Sequence, residues 1–260
     1  MKLKYDLVVP FGFNCVSAAQ LRLRGLRLMS MPFDWVEWDG DNGFVNRLGM
    51  LQSNFKDWLN GDNLTVDSLN GGDNHVIVYD RKYGISFPHD FVGGKIGTPP
   101  EPDELKRICE KYSRRASRMM DAIKGSDSVL FVITHDSGFV GIDVVRHIRE
   151  KLQAVFPQKN IDIFCVSFDA IKYDTIMEDG IVIQYVARPM KISYDVLIKS
   201  VEFSWLDGVV LTDKNKSFGE RLRGKRQLNW YEKWIYSFAK RILKILHKRR
   251  IKSPIIIDYE

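Results

Sequence analysis

The sequence predicts an α/β fold: a mainly parallel sheet with helices on both faces, followed by a C-terminal basic amphipathic helix. Three observations predict it. Short apolar runs alternate with segments of helical period. The runs are apolar at successive positions, as in strands covered on both faces. Fourteen Lys and Arg but only two Glu lie between Lys214 and Lys252, so a segment of charge +12 stands against −6 for the rest of the chain. This asymmetry divides the chain into an α/β domain, 1–213, and a basic segment, 214–260.

The elements follow in order. Lys4–Phe11 is a strand around Leu7-Val8-Val9, and Gly12-Phe13-Asn14 is a turn. A helix runs from Cys15 to Arg24 with Val16, Ala19 and Leu23 on one side, and Gly25 ends it. Residues 30–75, rich in Asp, Asn, Gly and Trp, read as short helices and loops. His75–Asp80 is a strand and Gly93–Pro102 a loop. Asp103–Lys124 is a helix on the period of Leu105, Ile108, Tyr112, Ala116, Met119 and Ile123. Ser128–Thr134 is a strand, Val140–Phe156 a helix, and Ile161–Phe168 and Ile181–Ala187 are strands. Ligands of such sheets bind beyond the carboxyl ends of the strands. The loops after Phe11, Thr134 and Phe168 therefore form the expected functional edge.

Composition narrows the function classes. A chain 45% hydrophobic and 12% aromatic can bury a core, which excludes wholesale disorder. No apolar run reaches the ~18 residues of a membrane span, and Met1–Asp6 lacks the apolar stretch of a secretory signal. Three scattered cysteines, Cys15, Cys109 and Cys165, make neither a disulfide framework nor a zinc cluster and predict a reducing, cytoplasmic setting. No Gly-rich phosphate loop, metal-ligand spacing or G-x-S-x-G motif is present, so no cofactor and no metal are expected.

Cys15 is the chemical lead. It follows a buried strand and a glycine turn and opens a helix, whose partial positive charge and free N–H groups stabilise a thiolate. The same N–H groups could hold an oxyanion during acyl transfer. The plain alternative is a small buried residue packing helix on sheet. Cys109 and Cys165, inside a helix and a strand, read as core. A thiol nucleophile commonly takes a histidine base. Of five histidines, His89 and His135 are each followed by Asp. His135 follows a buried strand at the expected edge. His89 sits in the aromatic context Ile85-Ser86-Phe87-Pro88. Periodicity leaves both open. Asp34, between Phe33 and Trp35, is desolvated and needs a donor, or else caps the next helix.

Several blocks together resemble a bacterial family labelled putative papain-like cysteine peptidases. They are Phe11-Gly12-Phe13-Asn14-Cys15, Leu21-Arg22, Gly25-Leu26-Arg27, Ser30-Met31-Pro32-Phe33-Asp34-Trp35 and Phe87-Pro88-His89-Asp90-Phe91. Arg114-Arg115 leading to Val129-Leu130-Phe131-Val132 extends them over residues 5–190. The resemblance implies Cys15 as nucleophile, His89 as its partner, and Asp34 or Asp90 as the carboxylate orienting the imidazole. His135 stays a rival base. Asn14, Ser30 and Trp35, in the same blocks, are candidate substrate contacts. The N-terminal block alone also resembles coenzyme A-dependent acetyltransferases of capsule biosynthesis. That likeness implies a membrane-associated acyltransferase of cell-surface polysaccharide, with coenzyme A as its cofactor.

Trp230–Lys252 fits a helix with Trp230, Trp234, Phe238, Ile242 and Ile245 on one side and Lys233, Lys240, Lys244 and Lys248 towards the other. This pattern predicts a partner in an anionic membrane surface at the inner face, or else a helix docked on the domain with a solvated basic face; with an inert Cys15, membrane binding would make the chain a non-catalytic recruited binding module. Aromatics set apart from the charges argue against nucleic acid.

Overall fold

The computed structural model describes residues 3–12, 15–38, 43–56, 58–69, 75–135, 140–167, 174–186 and 201–214. The chain divides into two compact units, residues 1–218 and 219–260. The expected helix Trp230–Lys252 lies in the second, outside the described residues. Among the described residues no helix is long and apolar enough to cross a membrane.

The central sheet grows from the apolar runs. Strands β1 (Leu3–Tyr5) and β2 (Leu7–Pro10) open the chain, and helix α1 (Val16–Leu23) follows. Strand β3 is Glu37–Trp38 and helix α2 is Gly43–Gln52. Strands β4 (Leu64–Leu69), β5 (His75–Asp80) and β6 (Ile85–Val92) precede helix α3 (Pro102–Gly125). Then come β7 (Ser128–His135), α4 (Ile142–Val155), β8 (Asn160–Ser167), β9 (Asp174–Glu178), β10 (Ile181–Tyr185) and β11 (Val209–Leu211). The five-stranded sheet has the order β2-β7-β8-β10-β9. Its first four strands are parallel and β9 returns antiparallel to β10. The β9–β10 turn uses Gly180 at φ +68°, where a Cβ would also overlap Arg149 and Asp162.

Period-two alternation assigns the two faces. Val8, Leu130, Val132, Phe164, Val166 and Val182 form one apolar face with Val16 and Leu21 of α1 and with Phe203 and Leu206. Helix α4 packs on β8 and β10 and against α2, with Val145, Ile148 and Leu152 buried, covering the other face. In α1, Ser17 and Gln20 take buried places while Leu23 is 61% exposed, so the helix is rotated from the face its apolar residues predict.

Two expectations are corrected. The sheet strands do not all join the parallel array: β3-β6-β5-β4 form a separate antiparallel sheet. Residues 30–75 do contain α2 and the short helical turn Gly61–Asn63, but Leu64–Leu69 is a strand rather than loop. Its signal is the alternation Leu64, Val66, which is too short to stand out among polar neighbours. The β5–β6 turn is closed by Asp80, whose Oδ1 accepts from the main-chain N–H groups of Lys82 (2.9 Å) and Tyr83 (3.2 Å). Helix α3 packs on this sheet through Tyr112, whose ring lies 5.4 Å from Phe87 and 4.9 Å from Trp58.

Candidate active site

The β2–α1 turn is held from three sides. Gly12 lies so close to α1 and β7 that a Cβ there would overlap Ser17 Oγ and Thr134 Oγ1. Those two hydroxyls share a hydrogen bond of 3.1 Å, tying the first turn of α1 to the end of β7. Arg47, buried on α2, donates through Nη1 to the carbonyls of Phe11 and Gly12, and through Nε to Gly43 O. Its guanidinium lies 5.3 Å from the Phe11 ring and 4.7 Å from the Phe44 ring. Burial pulls the Arg47 guanidinium well below its ordinary value. Sequence reasoning missed Arg47: on a helix of mixed polarity it reads as a solvated cation.

Cys15 stands at the start of α1, and its own side chain makes no capping hydrogen bond to that first turn. The thiol is 3% exposed. Burial first, and the Glu37 carboxylate second, push it up to about 12. Burial thus opposes the lowering that the sequence expects from the helix N-terminus. Glu37, on β3, is a second residue the sequence did not flag. Cys109 is half-buried with Sγ 3.5 Å from Leu59 O, and Cys165 is sealed inside β8. Burial raises both of those thiols as well.

His89 occupies an irregularity in β6. Val78 pairs with Phe87 and Val76 with Phe91, so Pro88-His89-Asp90 bulge opposite the single residue Ile77. Proline lacks the N–H that a ladder needs, which is a physical reason for the break. Bulges re-aim side chains and recur beside active sites. Here His89 faces solvent while its neighbours Pro88 and Asp90 are buried. The edge of its ring meets Trp35, with centroids 6.4 Å apart and planes at 87°.

The two candidate carboxylates are engaged elsewhere. Asp90 accepts from Lys111 Nζ at 2.7 Å and from the Tyr112 hydroxyl at 2.5 Å, which anchors the bulge to α3. Asp34, fully buried, accepts from Arg27 Nε at 3.0 Å, from Arg27 Nη2, and from Met31 N–H at 2.9 Å. Burial pushes its carboxyl up against the opposing pull of Arg27 and the Met31 N–H. Among the described residues neither carboxylate bonds a histidine. Ser30 accepts from Arg27 Nη2 at 3.1 Å. Trp35 is half-buried, with Arg27 over its ring at 5.9 Å. His135 ends β7 buried, its ring stacked on Phe44 at 5.6 Å. Asn14 lies outside the described residues. Replacing Tyr112 by Phe is expected to cost about 1.5 kcal/mol in urea unfolding, since a buried bond to a carboxylate is lost.

Among the described residues no three His, Cys, Asp or Glu side chains come together to hold a metal ion. No curated protein and no solved structure matches this chain. The blocks around Cys15, Asp34 and His89 nevertheless fall inside one recognised pattern, since a family model matches residues 6–170, well over half of the sequence. The chain belongs to the family described as Putative papain-like cysteine peptidase (DUF1796).

Proposed function

We propose that this protein is a thiol-dependent acyl-transfer enzyme with Cys15 as nucleophile and His89 as proton acceptor. The observation that carries the reading is the place of Cys15: beyond the carboxyl end of a buried parallel strand, where helix α1 opens. Cys15 Sγ attacks an acyl carbonyl while its proton passes to the imidazole. The acyl–leaving-group bond then breaks, and the imidazolium returns the proton to the leaving group. Water, or another acceptor, takes the acyl group from sulfur and restores the thiol. The N–H groups at the start of α1 are suited to the oxyanion of the tetrahedral intermediate. Because the resting thiol is protonated, the base must act as the S–C bond forms. His89 suits that task better than His135: it is exposed to the reaction medium, whereas His135 is covered by Phe44.

Hydrolysis of p-nitrophenyl acetate tests this. Cys15→Ala and His89→Asn are each expected to lower turnover about a hundredfold, while Cys109→Ala and Cys165→Ala leave it intact. Turnover that survives Cys15→Ala ends the proposal. Loss in His135→Asn with none in His89→Asn transfers the base to His135. One observation favours a second reading, a non-catalytic binding module: the Cys15 thiol is buried, as a packing residue would be.

A further inference from the structure

An exposed imidazole is a poor base unless its ring is held in one orientation, because side chains at the surface hop between rotamers. The main chain of His89 is fixed by the bulge and by the bonds of Asp90 to Lys111 and Tyr112. Its ring is another matter. Among the described residues the His89 ring has no hydrogen-bond partner, and the contact that meets it is the edge-to-face packing on Trp35 at 6.4 Å and 87°. That geometry is the one aromatic pairs prefer.

Trp35 is itself held. The Arg27 guanidinium lies over its ring at 5.9 Å, an attractive arrangement for a cation on an indole face. Arg27 is clamped in turn: Nε donates to Asp34 Oδ2 at 3.0 Å, and Nη2 donates to the same oxygen and to Ser30 Oγ at 3.1 Å. The Arg27 side chain is 13% exposed and that of Asp34 is sealed, so water competes little for these bonds. The Met31 N–H, also on Asp34 Oδ2, ties down the turn that leads to Trp35.

The main chain that delivers Arg27 hangs on α1. The N–H groups of Leu26 and Arg27 both return to Leu21 O, at 2.9 and 3.2 Å. Val16 and Leu21 anchor this helix in the apolar core. One eight-residue helix thus has Cys15 at its N-terminal end and, just beyond its C-terminal end, the guanidinium that lies over Trp35. The contacts run from Asp34 to Arg27, from Arg27 to Trp35, and from Trp35 to His89.

We propose that Trp35 is the positioning residue of His89, and that Arg27, clamped by Asp34 and Ser30, keeps the indole in place for it. Asp34 then acts on the imidazole through two intervening side chains rather than by a hydrogen bond. The catalytic purpose rests on the acyl-transfer reading; the packing of His89 on Trp35 does not.

The first test is a carbon–proton correlation spectrum of the full chain with labelled histidine, the His89 signals being those lost in His89→Asn. The indole ring current is expected to displace the signals of this pair, so Trp35→Leu moves the His89 signals to the positions of a solvated histidine and Trp35→Phe moves them only part of the way. Arg27→Lys, which keeps the charge but loses the fork, is expected to give an intermediate shift, with Arg27→Gln as a second variant. His89 signals unmoved by Trp35→Leu overturn the proposal, and signals unmoved in both Arg27 variants overturn the part given to Arg27. The second test is kinetic. Trp35→Leu is expected to lower kcat for p-nitrophenyl acetate about tenfold with KM little changed, and Trp35→Phe to recover most of the loss. A rise in KM at constant kcat makes Trp35 a substrate contact and overturns its positioning role. Signals that move as expected in a protein without Cys15-dependent turnover keep the packing contact and remove the acyl-transfer reading instead.

Discussion

At pH 8, Cys15 in the folded protein is expected to react with iodoacetamide about a thousandfold more slowly than an exposed thiol. The thiol stands at about 12 against an ordinary 9.0, through burial and then the Glu37 charge. Each unit removes a factor of ten in thiolate. Alkylation of the Cys15 peptide, followed by mass spectrometry from pH 7 upwards, should keep rising through pH 10. A plateau near pH 8 would show the thiol to be activated at rest and refute the role given to burial. Glu37→Gln should accelerate the reaction, because a like charge is removed. The same shift has a stability consequence. A group raised in the folded state contributes stability that is complete below its unfolded value, near 9, and is lost as pH climbs towards 12. Cys165, also raised to about 12, adds a parallel loss over the same window. Cys15→Ala should therefore flatten part of the alkaline decline in stability, measured by urea unfolding at successive pH values.

Gly12→Ala is expected to cost about 2–4 kcal/mol, the upper range of an overpacked core site with a broken buried hydrogen bond. The added methyl would overlap both hydroxyls of the Ser17–Thr134 pair and stand 3.0 Å from the Thr134 main-chain nitrogen. A hydroxyl can rotate, but that nitrogen belongs to β7, held between β2 and β8 in the sheet. Chemical denaturation should show a lower midpoint with an unchanged slope. Adding Ser17→Ala should recover part of the loss, since one of the two overlapping oxygens goes. A cost below about 0.5 kcal/mol, the scale of an unremarkable surface change, would mean that the turn does not depend on this close approach. The substitution should also depress ester turnover, because the displaced turn leads into Cys15.

The parallel sheet was legible because its strands are apolar at successive positions, and Val129–Ile133 has no other physical use than burial on two faces. The antiparallel sheet was not. Thr65, Asp67 and Ser68 dilute its first strand, and Pro88 interrupts its third. The location of Cys15 followed from a strand, a glycine and a helix in succession, all local features. The charge of Glu37 acting on it was not legible, because that residue lies on β3, in another part of the chain. His89 was singled out as aromatic-flanked, but the bulge that turns it to solvent depends on pairing with Val76 and Val78. Asp90 looked like the partner of its neighbour His89. Strand alternation sends it the other way, to Tyr112 and Lys111.

Strand β1 pairs in parallel with β11, Leu3 against Val209 and Tyr5 against Leu211, and Thr212 N–H donates to Tyr5 O. Asp6, next along, accepts from the N–H groups of Asp127 and Ser128 and from the Thr212 hydroxyl. Leu3–Tyr5 thus waits for a partner made far later in the chain. During synthesis the ribosome must release more than two hundred residues before this seam can close, and loop-closure entropy makes such distant pairings slow to form. Until then the nascent chain lacks this seam, a state in which chaperone capture competes with completion.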